Sequence, residues 1–278
     1  MNLELWSSLE FFWPQILLGS SFGILLSLIG ALLVLRRQIF FGITLSQGVS
    51  LAVAISLYFG YDSPLFVPLL SLLILLPLVV FKKSRNKDDE AFLATLFLAF
   101  TALSQFLLNL GGNVTNHLMA AYFGDILTSP VSWDMQFFIP FLFALFAYSV
   151  LHNRFLSYSF DQDFSIVRGN NPIQLELMYF GLLIIFLSFS IHMFGSYFSM
   201  SQLVIPCFAL LPWARSIKIL YVGTGLISFL ATILGFLLSF QSFPWGQEEL
   251  HLPTTSTIIL LLCFFALLSR MLYRSLGR

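Results

Sequence analysis

Charge is what this sequence has least of. Asp, Glu, Lys and Arg make up 9% of its 278 residues, against about 25% in a typical soluble domain. Their formal sum is zero, which excludes the basic footprint of a nucleic-acid binder. Cysteine is almost absent. Cys207 and Cys263 lie in apolar runs without a C-x-x-C partner, so no disulfide framework is indicated. The four histidines, His117, His152, His192 and His251, never pair at i, i+3 or i+4. No helix therefore presents a ready two-histidine metal site. No G-x-x-x-x-G-K-[ST] occurs, which excludes ATP binding by a P-loop. The opening MNLELWSSLEFFWPQ has no cationic stretch and carries Glu4 and Glu10, unlike a cleaved signal peptide. Without a low-complexity linker, a soluble insertion or an internal repeat, residues 1–278 read as one domain.

What is present is apolar. Hydrophobic residues make up 58% of the chain, 33 of them Phe, and the mean hydropathy is +0.91. A soluble fold could not hide this surface from water, whereas a bilayer solvates it. A membrane helix needs about 20 apolar residues. Segments of that kind are expected at 13–34, 40–59, 64–81, 91–110, 135–151, 175–194, 217–240 and 256–273. The fold class is an all-α polytopic transmembrane bundle of about eight or nine segments. The ninth, 198–212, is short, contains Pro206 and ends at Pro212, so it is either a crossing or a re-entrant segment. Counted as a crossing, it puts all 13 Lys and Arg on one side. The clusters are Arg36–Arg37, Lys82–Lys87, Arg154 with Arg168, Arg215 with Lys218, and Arg270 to Arg278. The positive-inside rule then places the C-terminus in the cytoplasm and the N-terminus outside a cytoplasmic or inner membrane. Glu4, Glu10, Asp62, Asp125, Asp134, Glu248 and Glu249 fall on the outer face. They form either a field that concentrates cations or only the complement of the positive-inside bias.

Within the cytoplasmic loop 152–174, Phe160, Phe164 and Val167 recur at i, i+4 and i+7. That is the stripe of a short amphipathic helix, with Ser159 to cap it and Gly169, Asn170, Asn171 and Pro172 to stop it. Such a helix either docks into a groove of a cytoplasmic protein or rests on headgroups. In the second span Ile43, Gln47 and Ser50 share a helical face. Gln47 lies deep enough to face protein or a water-filled path, or to hydrogen-bond a neighbouring helix. His192, Met193, Met200 and Cys207 offer imidazole and sulfur, which suit transition metals but also pack well in apolar cores. The row Gly19, Gly23, Ser27, Ala31 gives the first span a small-residue contact face. Asp88-Asp89-Glu90 is either a diphosphate-metal run or a charge cluster capping the next helix.

Several of these stretches resemble the permease subunits of ABC-type zinc/manganese/iron importers. GALLVLRRQIFFGITLSQGVSLAVA is similar to that family's first and second spans, with paired Arg and a following F-G. LMAAYFGDILTSP resembles its external M-A-Y-x-F-G-D segment through Gly124 and Asp125. FDQDFSIVRGNNP resembles its docking loop, which implies ATPase coupling through Phe160, Asp161, Phe164, Val167 and Gly169. FGSYFSMSQLVIPCFAL keeps the spacing from Gly195 to Pro206, and LPTTSTIIL resembles the entry to the last span. The resemblance implies a fold like that of cobalamin and siderophore importers. It also implies a second permease copy, identical or not, a cytoplasmic ATP-binding subunit that uses the ATP, and an extracytoplasmic substrate-binding protein. This chain itself would bind no cofactor. The substrate pathway would pass Gln47 and Ser50, with His192 and Met200 as further candidates. The family's second span reads F-G-D-[TA]-L-[SA]-H, and its Asp and His are associated with the metal path. Here those positions are Ile43 and Gln47, so the metal ligands are unknown. Two rival readings are a lipid-processing membrane enzyme using Asp88, Asp89 and Glu90, and a stand-alone secondary transporter. The latter needs an ionisable residue in mid-membrane, and the spans hold no convincing one.

Overall fold

In lipid every backbone N–H and C=O must be satisfied within the chain, which makes an apolar run of this length helical. A computed structural model bears this out. It describes residues 2–61, 63, 65–81, 89–110, 135–160, 162–167, 169, 171–245 and 248–275. Among them the helices are α1 (Asn2–Leu35), α2 (Ile39–Tyr58), α3 (Phe66–Phe81), α4 (Asp89–Leu110) and α5 (Met135–Phe160). There follow α6 (Gln162–Val167), α7 (Pro172–Phe194), α8 (Ser196–Leu210), α9 (Ile217–Ser239) and α10 (Thr254–Ser275). All nine expected segments are helical. Residues 12–35 of α1, with α2, residues 90–110 of α4, α7, α9 and α10, are long and apolar enough to cross a membrane, while α3 and α8 are shorter apolar helices. Outward-facing side chains such as Leu98, Phe106, Phe143, Val222 and Leu267 are exposed, as a lipid-solvated surface requires. Inside the helices, hydroxyls return to their own backbone. Ser46 bonds the Gly42 carbonyl, Ser50 that of Ser46 and Ser188 that of Ile184. That return lets polar residues sit in apolar helices without orphaned groups.

The chain forms two compact units. The first comprises residues 1–34, 123–131 and 193–278, and the second residues 35–122 and 132–192. In the first, α1 runs against α9. The Phe12 and Phe240 rings stand 5.6 Å apart at one end, Gly23 faces Ser228, and Leu28 lies beside Gly225. α8 also runs against α9, with Leu210 at Gly223 and Gln202 at Ser228 and Thr232. α10 does the same, pairing Ser239 with Thr254 and Gly235 with Ile258. α8 is a single helix of 15 residues, shorter than the spans around it. Arg215, Lys218, Arg270 and Arg274 gather at the end where α1 finishes. Outside the expected all-α pattern is a β-hairpin, β1 (Ser242–Trp245) with β2 (Glu248–His251), antiparallel with Ser242 opposite His251. Ser239 hydrogen-bonds the Leu252 carbonyl and Thr254 across its base.

In the second unit α2 and α4 run side by side. Thr44 reaches the Leu93 carbonyl, Gln47 meets Thr101, and Ala54 packs with Leu108. Leu75 of α3 fills the space over Gly48, where a Cβ would lie 2.3 Å from it. α5 lies against α7 through Phe141–Phe186, Tyr148–Phe186 and Phe155–Tyr179 edge contacts. Ser71 of α3 shares a 2.6 Å hydrogen bond with Ser188 of α7.

Candidate pathway and coupling site

On α2, Gln47 and Ser50 are both buried, and Ile43 is half-buried one turn before Gln47. The Thr101 hydroxyl donates to Gln47 Oε1 at 3.2 Å, so this amide links two helices of its unit. Ser50 spends its hydroxyl on the Ser46 carbonyl at 3.0 Å. His192 is half-buried in the last turn of α7, and Met200 is half-buried on α8. These two candidates fall in different units. Among the described residues, no three His, Cys, Asp or Glu side chains come together as a metal-holding group.

The first unit holds a polar cluster that the pattern of single polar residues does not announce. Gln202, on α8, is fully buried. Its amide donates to Thr232 Oγ1 at 2.9 Å and its carbonyl accepts from Ser228 Oγ at 2.7 Å. Gly23 of α1 closes over it, leaving 3.2 Å between a Cβ placed there and the Gln202 amide carbon. The available signal was the spacing of Ser228 and Thr232, four apart on one helix face, opposite an isolated Gln in an apolar run.

Between α5 and α7 the helix is shorter than the apolar stripe implies. Phe160 is the last residue of α5, and α6 begins at Gln162. No Gly or Pro interrupts 152–160, so α5 runs through. Ser159 is therefore no cap for α6. Its hydroxyl donates to the Phe155 carbonyl at 2.6 Å and accepts from Arg36 Nε at 2.6 Å. Gly169 ends the segment at φ +79°, its N–H donating to the Ile166 carbonyl at 2.8 Å. That left-handed turn is the natural place for a glycine. Val167 is 86% exposed, and Phe160 and Ile166 are also exposed. Asp161, Arg168, Gly124, Asp125, Asp62, Asp134, Asp88, His117 and the Lys82–Lys87 cluster lie outside the described residues. Those positions of the docking and external motifs therefore receive no structural account, and the side chain of Phe164 none either.

Arg36, immediately after α1, anchors the same region. Its Nη2 donates to the Phe155 carbonyl at 3.1 Å, and the guanidinium lies 4.6 Å from the Tyr179 ring centroid and 5.3 Å from that of Tyr158. Burial and the Glu176 carboxylate push the Tyr158 phenol above its usual range, and the Arg36 charge pulls it back.

Membrane-length apolar helices with cations gathered at one end of the first unit mark a multi-pass membrane protein. The model of the ABC 3 transport family matches residues 8–273, nearly the whole chain. The chain belongs to that family and is the permease subunit of an ABC transporter; the rival readings as a lipid enzyme or a secondary transporter are not favoured. It is similar to the high-affinity zinc uptake system membrane protein ZnuB of Haemophilus influenzae. The two are 22% identical over 230 residues, 83% of this chain and 88% of the relative. Among solved structures it resembles PsaBC from Streptococcus pneumoniae in complex with Fab, with a TM-score of 0.76 and 21% identity over 97% of this chain and 95% of the other. It also resembles an inward-facing putative metal-chelate type ABC transporter, with a TM-score of 0.70 and 18% identity over 99% and 90% of the two chains. At these identities the two structures speak for the fold.

Proposed function

We propose that this chain forms the translocation pathway of an ABC importer of divalent metal ions such as zinc, manganese or iron. What carries the reading is the family match from residue 8 to 273 together with a zinc-uptake relative aligned over most of both chains. In this reading a second permease copy completes the pathway. A separate ATP-binding subunit, docked on α6 and its flanks, hydrolyses the ATP. An extracytoplasmic binding protein delivers substrate to the face that carries the β-hairpin. The end bearing Arg215, Lys218, Arg270 and Arg274 is cytoplasmic. A cysteine at Glu248 should accordingly react with an impermeant thiol reagent from outside, and one at Arg215 only after permeabilisation. The reverse pattern would invert the orientation.

One observation favours a second form of the substrate. The α2 face offers Ile43, Gln47 and Ser50. These are an amide, a hydroxyl and an alkyl group, without the imidazole, thiolate or carboxylate that would hold a bare zinc ion. A chelated metal brings its own ligands and asks the pathway only for hydrogen bonds. The test is uptake by vesicles holding the permease, its ATPase and its binding protein. Radiolabelled zinc and manganese are offered free or as a preformed organic chelate. ATP-dependent uptake of the free ions supports the first form, and uptake of the chelate alone supports the second. Uptake of neither refutes the metal reading.

A further inference from the structure

The turn between α1 and α2 is three residues long, and its first residue reaches across the second unit to grip α5. Arg36 closes two hydrogen bonds on the last turns of α5, to the Ser159 hydroxyl and the Phe155 carbonyl. Its guanidinium also faces the Tyr158 and Tyr179 rings. Only one residue separates the end of α5 from α6. On the other side, Arg37 takes a left-handed φ of 56°, and α2 starts at Ile39, its Gly42 N–H bonded to the Gln38 carbonyl at 3.1 Å. A second line of contacts joins the same two places. Phe155 meets Tyr179 edge-on at 5.5 Å, Tyr179 meets Phe180 at 5.1 Å, and Phe180 meets Phe41 of α2 at 4.8 Å. Phe155, Tyr179 and Phe180 are fully buried, so a displacement at one end has no slack in which to dissipate.

We infer that Arg36 is the positioning residue that transmits movement of the α6 docking helix to α2, the helix carrying Ile43, Gln47 and Ser50. This rests on the reading of α6 as the ATPase contact. The chemistry requires arginine. A planar guanidinium donates in its plane to Ser159 and Phe155 while its flat face meets an aromatic ring. A lysine keeps the charge but is a point donor without a face to stack. Hydrogen bonds of a charged donor are also the stronger kind, so α5 and the α1–α2 turn move as one piece.

The experiment uses the full complex of permease and ATPase in vesicles, with Cys207→Ala and Cys263→Ala in the background and a single reporter, Ile43→Cys. Ile43 is half-buried, so its reaction with a small maleimide reports how open the α2 face is. In the parent complex, adding ATP should change the labelling rate. With Arg36→Lys the ATPase should still co-purify and hydrolyse ATP while the ATP-dependent change in labelling is lost. Arg36→Lys with the parental change would overturn the inference. If that variant fails to accumulate, Ser159→Ala removes one bond and leaves charge and rings in place. It should reduce the ATP-dependent change at undiminished hydrolysis, and a parental response there would equally overturn the inference. Metal uptake is measured separately on vesicles whose permease keeps Ile43. Absence of uptake with an intact labelling response counts against the substrate reading and leaves the role of Arg36 standing.

Discussion

Gln202 and Thr232 face each other from α8 and α9, joined by a 2.9 Å hydrogen bond from the amide to the hydroxyl oxygen, with no exposed atom on either residue. Ser228 supplies the second bond, to the amide oxygen at 2.7 Å. Thr232 in turn donates to the Ser228 carbonyl at 2.8 Å, so its hydroxyl is both donor and acceptor.

Replacing Thr232 by Val keeps shape and removes the acceptor, leaving one N–H of Gln202 buried without it. Hydrogen bonds between membrane helices are worth roughly 0.6–2 kcal/mol. Thermal unfolding of the purified permease in detergent should shift down by a corresponding modest amount, with expression unchanged. A loss of several kcal/mol would mean the cluster does more than pin α8 to α9.

Gly30 is the tighter constraint. A Cβ there would lie 1.7 Å from the Leu203 carbonyl oxygen and 2.7 Å from its carbon. Both are backbone atoms, so no rotamer relieves the clash. Gly30→Ala should destabilise by at least the ~1–3 kcal/mol of an overpacked core. Gly181, on α7, has nothing within 4 Å of a Cβ. Gly181→Ala should be neutral or stabilising by up to about 1 kcal/mol through helix propensity. The pair, measured side by side by thermal unfolding, separates packing from propensity. Equal effects would refute the close approach of α1 and α8.

The contrast also marks what was legible in the sequence. Length and hydropathy located every long helix among the described residues, because the bilayer imposes both. The row Gly19, Gly23, Ser27, Ala31 is buried as expected, yet the glycine of α1 that lies against a partner's backbone is Gly30, one residue off that row. Which of two neighbouring small residues meets a partner depends on the crossing of two helices, and no single-helix pattern encodes it. Ser159 fails for a similar reason. As a local motif it reads as a cap, but its hydroxyl is taken by Arg36, 123 residues away. The hairpin β1–β2 went unread because strands of four residues carry too short a pattern. Asp161, Gly124 and Asp125, expected as parts of the coupling and external motifs, lie outside the described residues.

Val167 carries the test of docking. It is 86% exposed, so Val167→Asp disturbs no internal packing and the permease should be made and inserted as before. If the residue enters an apolar contact with the ATPase, a buried carboxylate without a partner costs several kcal/mol. Co-purification of the ATPase should then fall sharply, and ATP-driven uptake with it. Unchanged co-purification would leave α6 as a helix resting on headgroups.

The last prediction concerns α2. Ile43 and Gln47 stand one helical turn apart, which brings their Cβ atoms to about 5–6 Å. Neither side chain ligates a divalent cation well. We predict that the native permease, paired with itself, transports free Zn²⁺ or Mn²⁺ poorly, and that Ile43→Asp with Gln47→His raises this transport. The carboxylate and imidazole would then reach one ion. Losing the Gln47 amide releases the Thr101 hydroxyl, which still donates to the Phe97 carbonyl at 2.8 Å. Ile43 is half-buried, so the new carboxylate is not enclosed by packed side chains. Radiolabelled zinc and manganese uptake is measured in vesicles holding the permease, its ATPase and its binding protein, with the single changes alongside. Neither single change should match the pair, because one ligand from each permease copy holds an ion weakly. Strong ATP-dependent uptake of the free ions by the unaltered homodimer would defeat the prediction and move the metal site to other groups, with His192 and Met200 the first to replace.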